Sequence, residues 1–254
     1  MCYIDLHETL DSWPYDSEQI SVRKIVGVDG AVRIQMRVEL GVLQMEVSGR
    51  PDGMRPHGCA SLLEYFRHRL ARYEQRNGTT LGFVLSPKQC QAVREEASLY
   101  YRRYVALFVL EEYAQVVPDT LHNLAIFDLC REYALQADDR ECLESFRPYV
   151  LMMNARAQAL QALEEEEHAS ALAHVNRGLL QIRAHYEERG ELEAMEHSEE
   201  VKMLRSLAVD LTRQMPNDSL VRTCQALRAA LEREQFEEAA RLRDVLKARF
   251  DYKV

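Results

Sequence analysis

Two spacing rules divide the chain. From Ile20 the residues alternate with period two: Val22, Lys24 and Val26 against Arg23 and Ile25. Val32, Ile34, Met36 and Val38 then alternate with Arg33, Gln35, Arg37 and Glu39, and Leu43, Met45 and Val47 with Gln44, Glu46 and Ser48. Period two is the mark of half-buried strands. Asp29-Gly30 is hairpin-turn chemistry, and Gly41 permits a tight turn or bulge. The pattern predicts a three-stranded antiparallel β-meander with one apolar face, which needs a cover. Ser61-Leu62-Leu63-Glu64 is a capping box, and Leu62, Leu63, Phe66, Leu70 and Tyr73 form a helical stripe ended by Asn77-Gly78. This helix is expected to lie on or near the sheet.

Beyond residue 83 the period becomes 3.6. Ser86-Pro87-Lys88-Gln89 starts a helix through Val93, Ala97, Tyr100, Tyr101, Tyr104 and Phe108, to about Leu110. A second begins near Tyr113, with Pro118 in its first turns and Leu121, Leu124, Ile126 and Leu129 on its apolar side. Pro148 opens a third, through Met152, Ala155, Ala159, Ala162 and Leu163. Ala171, Leu172, Val175, Leu179 and Ile182 mark a fourth that stops at Gly190. A further helix is expected over about Leu192 to Arg213, closing at Pro216-Asn217-Asp218. The fold class is mainly α, with a small N-terminal sheet. Three domains are expected: 1–82 as meander plus helix, 83–216 as a helical body, and 217–254 as a terminal helical hairpin.

Composition agrees with this division. Eight of ten glycines fall in residues 1–82, where turns need them. The net charge of −9 resides in the middle: residues 1–82 carry −1, 83–220 carry −10 and 221–254 carry +2. Phosphate binding needs clustered Lys and Arg, so a nucleic-acid groove is not expected across the middle, and nucleic acid is not the expected partner. Six widely spaced cysteines form no C-x-x-C pair. No apolar run approaches 18 residues and the N-terminus lacks a basic leader. A reducing cytoplasmic location without membrane contact is expected.

Candidate chemistry is sparse. Arg50, Asp52, Arg55 and His57 form a polar loop that suits an anion or a peptide terminus, or else ties down its own carbonyls and carboxylates. Tyr100, Tyr101 and Tyr104 invite base stacking, but helical spacing with Phe108 makes them core. Glu164 to Glu167 point different ways around a helix, and His168 and His174 are six apart. No metal site, cofactor, nucleophile–base pair or phosphate-binding loop is expected, and the chain is not expected to be an enzyme.

The helix junctions repeat weakly. Glu111-Glu112-Tyr113 is followed by Val116, Glu166-Glu167-His168 by Ala171, and Glu234-Gln235-Phe236 by Ala239. The ring is expected to pack in the angle of a helical hairpin while the smaller residue lets the helices approach. This resembles the tetratricopeptide repeat, whose turn reads glycine-x-aromatic-x-x-Ala. Here Glu replaces the Gly, His168 one aromatic, and the first two junctions are 55 residues apart. The resemblance implies a degenerate helical-repeat region over roughly 86–190.

Residues 220–250 carry the most specific pattern. Leu220, Cys224, Leu227 and Leu231 share one helix face; Phe236, Ala239, Arg243, Leu246 and Phe250 share another. Phe236, Glu237, Ala239, Ala240, Leu242, Arg243 and Asp244 complete the core of the UVR (UvrB/UvrC) motif, F-E-x-A-A-x-L-R-D, which this segment closely resembles. The wider arrangement looks like bacterial UVR-motif proteins. In that family the motif is an antiparallel helical hairpin that binds other proteins. The resemblance implies an adaptor whose partner, another protein or a second copy, meets Leu231, Phe236, Ala239, Ala240, Leu242, Arg243 and Leu246. Phe236 is the expected anchor. Arg243 is expected to find a carboxylate within the apolar face, with Asp244 turned away. The alternative is a DNA-repair accessory touching nucleic acid or excision-repair subunits.

Overall fold

The structure, a computed structural model, describes residues 5–214 and 220–251. It is mainly helical with one small antiparallel sheet near its start. The chain divides into two compact units, Met1–Gln158 and Ala159–Val254.

In the first unit a short helix, α1 (His7–Asp11), precedes strands β1 (Val22–Val26), β2 (Val32–Val38) and β3 (Gly41–Glu46), in sheet order β1-β2-β3. Five residues carry no readable period, so α1 had no signal. The register pairs Val22 with Met36, Ile34 with Met45 and Met36 with Leu43, which puts the predicted apolar residues on one face and buries Ile34, Met36 and Met45. Gly30 makes the first turn at φ 77°. Gly41 instead opens β3, and Glu39-Leu40 make the second turn.

The polar face is a side-chain ladder. Arg23 Nε donates to Gln35 Oε1 at 2.9 Å and Gln35 Nε2 to Gln44 Oε1 at 3.0 Å, as cross-strand neighbours should. The segment before β1 lies on this face. The Trp13 indole N–H donates to Ser21 Oγ at 2.6 Å, Arg23 sits 4.1 Å over the Trp13 ring, and Arg37 Nε donates to the Trp13 carbonyl at 2.7 Å.

Helix α2 (Leu62–Asn77) is capped by Ser61, which accepts from Glu64 N at 3.0 Å, and ends at Gly78, φ 71°. It does not cover the sheet. Leu63 and Phe66 join Phe83, Val93, Ile126 and Phe127 in a core with α3 (Pro87–Val109) and α4 (Tyr113–Tyr133). The sheet is met by α3. Arg103 Nη1 donates to the Glu46 carbonyl at 3.1 Å, and Lys24 pairs with Glu112 just beyond the helix. A 23-residue helix is long enough to serve both: its first half packs on α2 and its second half reaches the strands. Leu85 N donates to the Tyr133 carbonyl at 2.7 Å and Leu135 N to the Leu85 carbonyl at 3.0 Å, which locks the open end of the α3–α4 hairpin. A short α5 (Ala137–Glu141) and a 3-10 turn, Glu144–Phe146, lead into α6 (Arg147–Glu164), inside which the two units divide.

In the second unit α7 (His168–Arg189) packs against α9 (Glu199–Gln214), burying Ala171, Val175 and Ile182 together with Val201, Leu204 and Leu211. The single helix expected over Leu192 to Arg213 is two: α8 (Leu192–His197) and α9. Ser198, at ψ 128°, breaks it, and its hydroxyl accepts from Val201 N at 3.3 Å. Ser-Glu-Glu is helix-start chemistry. The expected stop at Pro216-Asn217-Asp218 lies outside the described residues. Helices α10 (Leu220–Glu232) and α11 (Phe236–Asp251) form the terminal hairpin.

The three junctions noted in the sequence share one turn. Glu111, Glu166 and Glu234 have φ of 60°, 59° and 58°. In each, the next N–H reaches back five residues: Glu112 N to Leu107 O at 2.9 Å, Glu167 N to Ala162 O at 2.8 Å, and Gln235 N to Ala230 O at 2.8 Å. This is the Schellman closure of a helix, whose left-handed position favours glycine. Gly190 makes the same closure with glycine in place, Glu191 N reaching Tyr186 O at 2.9 Å. Leaving the left-handed strain to a side chain costs about 1–2 kcal/mol, part of which glycine returns through the freer unfolded chain. Glu111→Gly, Glu166→Gly and Glu234→Gly are therefore each expected to stabilise their helical pair by about 0.5–1 kcal/mol, and the Val variants to destabilise it. Urea unfolding followed by circular dichroism reads this, and a destabilising Gly variant would refute the assigned turn.

Candidate functional site

The α10–α11 hairpin closes on small residues. Ala230, Ala239, Thr223 and Leu246 are buried along its inner seam, and Ala240 and Leu242 are half-buried. Alanines at 230 and 239 allow the close helix approach that the Glu234 turn requires. The side chains of Leu220 and Phe250, expected on these faces, lie outside the described residues. Leu231 is exposed, and Phe236, at the tip, is 68% exposed. An open hollow of about 710 Å³ beside the tip is lined by Glu234, Gln235, Phe236, Glu237, Glu238 and Arg241.

Arg243 departs from expectation. It is exposed, and its Nη2 and Nε donate to Asp244 Oδ1 at 2.9 and 3.0 Å. A seam closed on alanines leaves no room for a guanidinium, so Arg243 folds onto its own neighbour outside. Of the seven expected partner residues, Ala239 and Leu246 hold the hairpin together, Ala240 and Leu242 flank it, and Leu231, Phe236 and Arg243 face outward.

Comparing the three turns isolates Phe236. The small residue is buried in each: Val116, Ala171 and Ala239. At the ring position Tyr113 is half-buried, edge-on to Phe108 at 5.4 Å, and His168 is half-buried. Phe236 alone of the three is bare.

The polar loop is a different matter. Arg50 is turned inward, its Nε 3.1 Å from Glu96 Oε2 in an ion pair without hydrogen-bond alignment, and Asp52 is 3.4 Å from its Nη1. His57 stacks on Tyr65 with rings 4.1 Å apart, and Arg55 is exposed. The four do not converge on one point. Glu96 is fully buried and accepts from Leu62 N at 2.7 Å, Leu63 N at 3.1 Å and His122 Nε2 at 3.1 Å. The His122 ring lies 3.7 Å from that of Tyr100. Below it, Arg103 makes a two-pronged pair with buried Asp119 at 2.6 and 2.8 Å. Burial pushes the Glu96 carboxyl up, but the His122 bond and the two backbone N–H groups outweigh it, leaving Glu96 below its ordinary range. Burial pushes Tyr100 up to about 12 and outweighs Arg103 at Asp119, which stands above its ordinary range.

This network is a clamp: the contacts of Glu96 tie three segments, the polar loop, the start of α2 and α4, to α3. Sequence reasoning missed Glu96, Arg103, Asp119 and His122. Their signal was charge at the margin of an apolar stripe, since Glu96 and Arg103 sit one turn from Tyr100 on the side facing α4. Tyr100 and Tyr104 are buried, as helical spacing implied, while Tyr101 is 45% exposed. Among the described residues no group of three His, Cys, Asp or Glu is placed to hold a metal ion, and no helix is long and apolar enough to cross a membrane. Comparison of the chain with protein-family models, with curated proteins and with solved structures gives no match.

Removing one partner of a buried ionic group costs about 3 kcal/mol or more. Glu96→Gln is expected to destabilise the first unit by about that much at pH 7. A carboxyl held below its ordinary value stabilises the fold above that value and ceases to do so as pH falls through its folded value. The gap between wild type and Glu96→Gln should therefore be full above about pH 4.5 and close below it. A gap independent of pH in urea titrations would show that the carboxylate charge is not what matters.

Proposed function

We propose that this chain is a non-catalytic adaptor that binds protein partners through the tip of its α10–α11 hairpin. The observation that carries the reading is the bare Phe236 ring, at a position whose counterparts in two turns of the same geometry, Tyr113 and His168, are half-buried. A large aromatic side chain in water is a ready anchor for a partner pocket. Leu231 extends the apolar surface, and Glu234, Glu237 and Glu238 rim it. An apolar pocket with a basic rim is the complementary partner surface, whether on another protein or on a second copy of the chain. The hairpin supports the resemblance to the UVR motif, in which this element joins proteins. The shared turns at Glu111 and Glu166 support a degenerate helical-repeat region earlier in the chain. A cytoplasmic location belongs to the same reading.

Phe236→Ala with Leu231→Ala is expected to weaken capture of a partner, or self-association, by about 2 kcal/mol or more, with helicity unchanged. Affinity capture with the full chain, and sedimentation at rising concentration, measure the two cases. Retained binding by the double variant would refute the role of the tip.

A further inference from the structure

We infer that the arginine face of α2 binds single-stranded nucleic acid. Between residues 67 and 76 this helix carries Arg67, His68, Arg69, Arg72 and Arg76, with no lysine. At about 100° per residue, His68, Arg69, Arg72 and Arg76 fall within one sector of the helix surface, beside Tyr65. The two acids of α2 lie off the Arg72 and Arg76 sector, Glu64 at its N-terminal edge and Glu74 opposite. Glu64 spends a carboxylate oxygen on Ala60 N at 2.5 Å, and Glu74 lies on the opposite side, where its charge is felt by Tyr133.

Among the described residues the arginines divide between those that pair with a carboxylate and those, such as Arg55 and Arg102, that do not, and this face belongs to the second kind. Arg33, Arg94, Arg103 and Arg147 each meet a carboxylate. Among the described residues Arg69, Arg72 and Arg76 meet none. Arg69 lies over the rings of Phe66, Phe83 and Tyr65 at 5.6, 5.8 and 5.9 Å, and Arg72 Nε reaches only the His68 carbonyl at 3.3 Å. His68, Arg72 and Arg76 are exposed.

A second observation sits at the N-terminal end of this face. His57 is exposed and lies on Tyr65 with the ring planes 21° apart, held there by a non-glycine φ of 53°. A flat ring in water next to a row of guanidinium groups offers both parts of single-strand recognition: a π surface for a base and planar donors for the phosphates that follow it. An acidic protein segment would use the arginines but not the ring, so the nucleic acid is the better fit. The chain's net charge of −9 is a weak obstacle, because charges more than about 8 Å away are largely screened at physiological ionic strength. The average over residues 1–82 conceals this face because acids elsewhere in the stretch cancel it.

The test is fluorescence anisotropy of the full chain with labelled 12-nucleotide single strands, one of DNA and one of RNA. Three phosphate contacts give a slope of about −2 in log K against log salt, so affinity should fall about 20-fold from 50 to 200 mM salt. Arg72→Gln with Arg76→Gln, neither of which packs on the core, should reduce binding at least tenfold and flatten the slope, with the circular dichroism spectrum unchanged. His57→Ala should weaken binding without changing the slope. Phe236→Ala should leave it intact, which separates this surface from the hairpin tip. No anisotropy change at 50 mM salt, or equal binding by the double arginine variant, overturns the inference. So does competition by polyglutamate as effective as that by unlabelled oligonucleotide, which would assign the face to an acidic protein.

Discussion

The first unit is organised by one carboxylate. Glu96 is buried without contact with water, a placement that is tolerable only because three hydrogen bonds and the Arg50 charge answer its carboxylate. Its partners come from three places distant in sequence: the polar loop through Arg50, the start of α2 through Leu62 N and Leu63 N, and α4 through His122. The two backbone donors are the otherwise unpaired N–H groups of a helix start, so the carboxylate also meets the positive end of the α2 dipole. Arg103, two turns further along α3, repeats the strategy with Asp119 and the Glu46 carbonyl. Position of sheet, loop, α2 and α4 is thus set by ionic contacts on α3, while apolar packing fills the space between them.

Local chemistry was easy to read in the chain, and tertiary assembly was not. The strands, the Asp29-Gly30 turn, the Ser61 and Ser86 caps and the stop at Gly190 stand where alternation and capping place them, because each depends on residues within a few positions. Ser198 lies inside the segment expected to be one helix: its ψ of 128° breaks the backbone there, and the six-residue step from Met195 to Val201, off the helical period, marks the break. Which helix covers the sheet depended on Arg103 and Lys24 reaching across the unit, and no local pattern encodes that. The stripe of α2 correctly marked a buried face but could not name what it faces.

The candidate sites divide in the same way. The turn and the α11 stripe through Ala239 and Leu246 were legible, but the α10 stripe was not: Cys224 and Leu231 are exposed while Thr223 and Ala230 are buried. The placement of Arg243 was not: a helical wheel puts it near the seam, yet the width of the seam is fixed by alanines on both helices. The polar loop shows the converse failure. Clustering of Arg50, Asp52, Arg55 and His57 in sequence suggested a shared site, but Arg50 is consumed by a carboxylate 46 positions away, while His57 finds an aromatic ring. Sequence proximity recorded the chemistry present and not its direction.

The glutamates at the left-handed turns carry one more implication. Each sits at the C-terminal end of a helix, where carbonyl groups concentrate negative potential, so its own charge is repelled where its backbone is already strained. A helical hairpin usually frays from its open ends and is firmest at its closed one. With Glu111, Glu166 and Glu234 in these positions, the closed ends become low-cost points of local opening, distributed at intervals along the helical part of the chain. Amide protection is then expected to be graded within each pair of helices, lowest around the turn and highest in mid-helix, which would set the bare phenylalanine of the last turn on one of the least protected segments.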